Sequence, residues 1–135
     1  MTYGELKSLT RGLLTGDVTL TTKEDELTMM LAYSYNKIAT EADALKLFTA
    51  NKNDSILRQG PGNLFVRKPN MPSLDDDELD IDDELGYPAA RYIANFVSRE
   101  KGGIHVMEAG KLISHYNQKV QAYMEALEQD DKLES

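Results

Sequence analysis

Eight carboxylates fall within ten positions of this chain, at Asp75, Asp76, Asp77, Glu78, Asp80, Asp82, Asp83 and Glu84. Clustered carboxylates suit hard cations such as calcium and magnesium. The EF-hand spacing D-x-[DN]-x-[DN]-G is not met from Asp75, because Leu79 and Asp80 stand at its last two named positions. The competing reading is a solvated loop that feeds a helix N-terminus, where acids are favoured by the helix dipole. That second reading is adopted, and no metal is expected.

The other reactive side chains are sparse. His105 and His115 lie ten residues apart on one predicted helix, nearly three turns or about 15 Å, too far to share one ion within that helix. His105 and Glu108 form an i, i+3 pair, but the remaining ligands of a di-metal bundle site are missing. Both histidines are expected at the surface or partly packed. Gly60-Pro61-Gly62-Asn63 lacks the G-x-x-x-x-G-K-[ST] pattern of a phosphate loop and no helix start follows it, so it reads as a turn. Ser98 and Ser114 have no G-x-S-x-G setting. There is no cysteine, which excludes disulfides, thiolate metal sites and cysteine nucleophiles. The expectation is a protein that is not an enzyme and carries no cofactor.

Arg58, Arg67 and Lys68 make the most basic spot. It is either a solubilising strand edge or a docking surface for an acidic neighbour. The acidic run of an identical subunit is a natural complement. The candidate subunit or partner interface is accordingly Arg58, Phe65, Arg67 and Lys68 on one side, with Asp80, Asp82 and Asp83 on the other. The net charge of −8 disfavours gripping a phosphate backbone by simple electrostatics.

The elements that must position these groups are mostly helices. A length of 135 residues with 41% apolar content suits one domain, spanning 1–135, with one core. Over 2–14, Tyr3, Leu6, Leu9, Leu13 and Leu14 share a stripe, and Thr2 with Glu5 fits a capping box. Thr15-Gly16-Asp17 should end that helix, followed by an extended stretch over 18–21. A second helix is expected from a Thr22–Asp25 capping box to about Thr40, with Leu27, Met30, Leu31, Ser34, Tyr35 and Ile38 on one face. Two short apolar runs around 59–63 read as a hairpin over about 55–68. Such a hairpin is marginal alone and must pack or bind. Pro69 and Pro72 stiffen an acidic linker over about 69–80.

A third helix should begin near Asp80 or Asp82 and run to about Arg99, its buried face Ile81, Leu85, Ala89, Tyr92, Ile93, Phe96 and Val97. Pro88 predicts a kink or break near Gly86. After a tight turn at Lys101-Gly102-Gly103, a last and longest helix is expected, where Ile104, Met107, Lys111, Leu112, Tyr116, Val120, Tyr123 and Leu127 recur at helical spacing through roughly six turns. A mobile polar tail should follow over about 128–135. The fold class is therefore mainly α: a four-helix bundle-like domain with a short β-hairpin excursion and a mobile C-terminal tail. No run approaches the ~18 apolar residues of a membrane span, and 1–5 has no secretion-signal character. A chain made and first held in a cytoplasm, with no membrane partner, is expected.

Three stretches carry a resemblance. The first is Asp25-Glu26-Leu27 through Tyr35-Asn36-Lys37-Ile38-Ala39, continuing to Leu45-Lys46-Leu47-Phe48-Thr49. The second is Ile56-Leu57-Arg58 with Asn63-Leu64-Phe65-Val66-Arg67-Lys68-Pro69. The third is Leu79-Asp80-Ile81-Asp82-Asp83-Glu84-Leu85, then Arg91-Tyr92-Ile93-Ala94 and His115-Tyr116-Asn117-Gln118-Lys119-Val120. In this order the chain resembles the head–tail connector (adaptor, or head-completion) proteins that bind beneath the portal of tailed bacteriophages. The resemblance implies a virion neck protein, synthesised in the host bacterial cytoplasm, that forms a ring, commonly of twelve copies, on the portal protein. Such a ring extends the DNA channel, lets DNA pass without specific binding, and offers a tail or nozzle protein its attachment surface. It also implies portal docking by the end of the last helix and the tail, with Met124, Leu127 and Leu133 as the candidate contacts. The alternative is a small phage-encoded regulatory protein that binds a host protein and stays out of the virion. A third reading, an enzyme with a divalent metal on the acidic run, predicts a thermal shift with calcium, magnesium or manganese.

Overall fold

The computed structural model describes residues 1–14, 23–53, 55–98 and 102–134, with side chains for all of these except 102 and 131–134. The expected turn at 15–17, the extended stretch at 18–21, the Thr22 cap, Lys101 and the Leu133 side chain lie outside the described residues.

Helix α1 (Tyr3–Leu13) starts with the anticipated capping box: Thr2 Oγ1 accepts from the Glu5 amide, and the Glu5 carboxylate accepts from the Thr2 amide. Its stripe buries Tyr3, Leu6 and Thr10. Helix α2 (Glu24–Glu41) has three acids in its first turn and buries Leu27, Leu31, Ser34, Tyr35, Ile38 and Ala39. A 3-10 turn, Leu45–Leu47, leads into β1 (Phe48–Thr49). The hairpin is formed by β2 (Ile56–Gln59) and β3 (Phe65–Arg67), with Gly62 at its tip in the left-handed region at φ +61°. The sheet has a strand the sequence reading lacks, because β1 pairs antiparallel on the far side of β3 to give the order β1-β3-β2. Val66 is fully buried, so its face of the sheet packs on the core and the Phe65 face turns outward.

A second 3-10 turn, Asp83–Leu85, runs directly into α3 (Gly86–Val97). The break expected near Gly86 is there, as the junction between the 3-10 turn and the start of α3. Pro88 occupies the first turn, where no intrahelical amide is needed and a fixed φ suits the helix, and it is fully buried there. Helix α3 is the central element, packing against α1, α2 and α4. Ser34 Oγ on α2 donates to the carbonyl of Ala89 on α3 at 3.0 Å, inside the core.

Helix α4 (Gly102–Glu134) is the longest element, 33 residues or about 50 Å. The helix carries through 128–134, the polar segment that ends α4. Not all of the periodically spaced positions of α4 face inward. Tyr116 and Val120 are buried, but Ile104, Met107 and Leu112 are exposed, and the inward positions are His105, Ala109 and Ile113. The two candidate stripes differ by a one-residue rotation. The small Ala109 lets α4 lie close to α3, which the larger apolar residues on the other stripe would prevent.

Candidate functional site

The 75–84 run is, as expected, a largely exposed segment that feeds a helix start: Asp75, Asp76, Glu78, Asp83 and Glu84 are exposed, and the 3-10 turn at Asp83–Leu85 leads into α3. The run is also a strap whose carboxylates reach outward in turn to separate elements. Asp75 accepts from Lys7 Nζ at 2.8 Å, while its carbonyl and that of Asp77 accept from the amides of Gly4 and Tyr3 at the start of α1. Asp77 closes its own turn by accepting from the Ser73 and Leu74 amides. Glu78 and Asp83 hold the amino group of Met1. Asp80 takes Arg67, Asp82 takes Tyr116, and Glu84 lies 3.3 Å from Lys119. Seven of the eight acids thus have a cation, amide or hydroxyl partner, with Glu78 and Asp83 sharing the Met1 amino group and Asp76 left to solvent. Among the described residues no group of three or more His, Cys, Asp or Glu side chains converges on a possible ion position.

Two of these contacts are well built. The Arg67 guanidinium meets Asp80 in a two-pronged pair, Nη1 to Oδ2 at 2.5 Å and Nη2 to Oδ1 at 2.9 Å. Nη2 also donates to the Lys46 carbonyl, and the Asn70 amide donates to Asp80. Burial pushes the Asp80 carboxyl upward, but the Arg67 hydrogen bond and charge and the Asn70 amide outweigh it and hold Asp80 below the usual carboxylate range. Asp82 accepts from the Leu45 amide at 2.7 Å, from the Lys46 amide at 3.1 Å and from the Tyr116 hydroxyl. It therefore caps the first 3-10 turn while anchoring α4. Burial, then the bond to Asp82, raises the Tyr116 hydroxyl well above its ordinary pKa, so it remains a donor.

Arg58 has a different task. Helix α2 has no basic residue in its last turn, and Arg58 supplies that charge from the sheet. Its Nε donates to the Ala39 carbonyl at 2.8 Å and its Nη2 to the Ala42 carbonyl at 2.8 Å, with Asp43 alongside. A cation on the open carbonyls of a helix end satisfies them and complements the dipole. Asn117 on α4 secures the same corner, donating to the Glu41 carbonyl and accepting from the Asp43 amide. Asn117 is absent from the sequence-derived candidates, and no pattern around it marks it.

The sequence-derived interface is consequently brought together within one chain. Arg58 and Arg67 are occupied by their own α2 and their own strap; Asp80, Asp82 and Asp83 are occupied likewise. The complementarity assigned to neighbouring copies is met internally, because the linker folds back across β3 and places Asp80 beside Arg67. Lys68 is exposed and Phe65 half-buried on the outer sheet face. His105 is buried, with Nδ1 3.2 Å from Arg91 Nη1, and burial followed by the Arg91 charge lowers its pKa.

What remains open is apolar. Tyr33 and Phe96 meet edge to face with ring centroids 4.5 Å apart, beside Met29 and Met30, in a groove of about 330 Å³ between α2 and α3. A second apolar region lies at the far end of α4. Ala109, Ile113, Tyr116, Val120, Tyr123 and Leu127 follow at spacings of four, three, four, three and four, the seam of a helix meant to be packed along its length. The first four are buried, whereas Tyr123 is 52% and Leu127 43% exposed, with Met124 only partly covered. The seam outruns the body that covers it.

Compared with protein-family models, curated proteins and solved structures, the chain matches none.

Proposed function

We propose that this chain is a structural, ring-forming connector subunit of a tailed-phage neck, seated between portal and tail and extending the DNA channel. The observation that supports this reading best is the open end of α4. A helix that keeps its packing seam for two more turns beyond its own domain, with Tyr123 and Leu127 exposed, is built to be covered by another chain. The strap works in the same direction: by tying α1, the sheet and α4 to one another it makes the body rigid, as a ring subunit must be to hold register under DNA pressure. The likeness of the three quoted stretches to connector proteins supplies the identity of the partners: further copies of the chain, the portal, and a tail or nozzle protein. A net charge of −8 suits a channel wall along which DNA slides.

Electron microscopy of the purified protein, alone and mixed with the candidate portal, tests this. The expected result is a ring with portal-matched symmetry stacked on the tail-facing end of the portal. A monomeric protein beside a bare portal, together with its absence from purified particles, would overturn the reading and leave the regulatory alternative in its place.

A further inference from the structure

The open end of α4 has a definable occupant. Residues 121–135 hold five acids, Glu125, Glu128, Asp130, Asp131 and Glu134, against Lys132 alone. Pairing two such ends with each other would set like charges together. Basic residues gather in two stretches: 91–119 carries Arg91, Arg99, Lys101, Lys111 and Lys119 against Glu100 and Glu108, a net +3, and the other stretch is the more basic. Residues 46–68 carry Lys46, Lys52, Arg58, Arg67 and Lys68 against Asp54, a net +4 on a chain of −8. This basic segment is the sheet with its connecting loops. Arg58 and Arg67 are consumed internally, but Lys46, Lys52 and Lys68 are exposed. On the sheet face opposite buried Val66 lies half-buried Phe65, with Thr49 and Gln59 as its cross-strand partners.

We propose that the far end of α4 in one copy, through Tyr123, Met124 and Leu127, docks on the outer sheet face of the next copy around Phe65, with the exposed Lys52 and Lys68 of that segment as its charged partners. This deepens the ring reading and rests on it. The two surfaces are different parts of the chain, so the contact is head to tail and propagates around a ring instead of closing a two-fold dimer. Apolar contact supplies the anchor, and acids beside the α4 seam against the lysines of the basic segment supply orientation. About 14 residues of α4 lie beyond Val120, roughly 20 Å of helix, enough to cross a neighbouring three-stranded sheet whose strands lie ~5 Å apart. The same charges explain why the helix end prefers this site over the α2–α3 groove, whose lip carries Glu26.

Two variants of the full chain isolate the two halves. In one, Tyr123→Glu and Leu127→Glu spoil the helix end; in the other, Lys52→Glu and Lys68→Glu spoil the sheet face. All four side chains are exposed, so circular dichroism and melting should match the parent. Sedimentation and native mass spectrometry should find the parent assembled, each variant monomeric, and an equimolar mixture of the two forming one-to-one dimers. In such a dimer one intact helix end meets one intact sheet face, and no longer oligomer follows. Each single variant should self-associate at least tenfold more weakly than the parent. A parent that stays monomeric at ~1 mM, variants that assemble like it, or a mixture that stays monomeric would overturn the interface. If the helix variant assembles normally but no longer binds the portal, the occupant is the portal, and the connector reading survives without this contact. If assembly follows the proposal while the portal stays bare, the interface stands and the connector reading falls.

Discussion

Replacing Arg67 by alanine tests whether the strap holds the fold or waits for a neighbour. The side chain makes a two-pronged pair with Asp80 at 2.5 and 2.9 Å and a further bond to the Lys46 carbonyl at 2.8 Å. Exposure of 27% for Arg67 and 20% for Asp80 places the pair in the partly buried class, where screening is incomplete. Charge-assisted bonds of this kind contribute about 1.5–3 kcal/mol, and truncation also strands a carboxylate that keeps only the Asn70 amide. The expected loss is about 2–3 kcal/mol. With an unfolding entropy of about 2.1 cal/mol/K per residue, the chain should melt about 3–4 °C lower for each kcal/mol, hence about 7–11 °C lower in this variant. Urea and thermal unfolding followed by circular dichroism provide the numbers. A double-mutant cycle with Asp80→Ala should give a coupling of about 1–2 kcal/mol, most of it surviving 1 M salt. A melting point within about 1 °C of the parent, with assembly abolished, would refute the reasoning and return Arg67 to the contact between copies.

Removing the acceptor at Asp82 should be comparably severe: Asp82→Ala leaves two amides and the Tyr116 hydroxyl without their partner and should cost about 2–4 kcal/mol in urea unfolding, against about 1 kcal/mol for Tyr116→Phe. His105 gives the protein an acid-sensitive joint between α3 and α4. Its folded pKa lies below the ordinary 6.5, so its neutral form carries full stability above that pH. Stability should then fall as pH drops through 6.5 and level off below the folded pKa. His105→Gln should flatten this limb in melts between pH 7.5 and 5, and an unchanged slope would remove the histidine from the account. Gly62→Ala forces a side chain into the left-handed region at the hairpin tip, and the melt should report a loss of about 1 kcal/mol.

The sequence was informative wherever a local rule decides the outcome. The Thr2–Glu5 box, the α2 face and the Gly-Pro-Gly turn depend on neighbours within a few positions, and all are where such rules place them. The two-residue strand β1 is too short to show alternation, and only its pairing with β3 makes it a strand. Charges were legible as charges but not as destinations. That Arg58 belongs to α2 and Arg67 to the strap depends on the sheet lying against the end of α2 and on the linker folding back across β3. No spacing in the sequence encodes either. Pro88 is a case the residue type does decide: it predicts a break near Gly86, and there the 3-10 turn at Asp83–Leu85 gives way to α3.

Helix α4 makes the difference between packing and partnering concrete. Ile104, Met107 and Leu112 attract attention because they are large, and they lie outside; Ala109 and His105 score poorly as apolar residues, and they lie inside. The spacing of four, three, four, three and four from Ala109 to Leu127 was the better guide, since it persists regardless of side-chain size. Yet periodicity says only that a face is to be covered, not by what. Up to Val120 the cover is this chain's own body, and beyond it Met124 is partly buried while Tyr123 and Leu127 are 52% and 43% exposed. A helix of about 14 more residues carrying five acids would gain little from apolar positions on the old seam if it merely stood in solvent. On the proposed reading, the surface that closes over the continued seam is one complementary to it in charge.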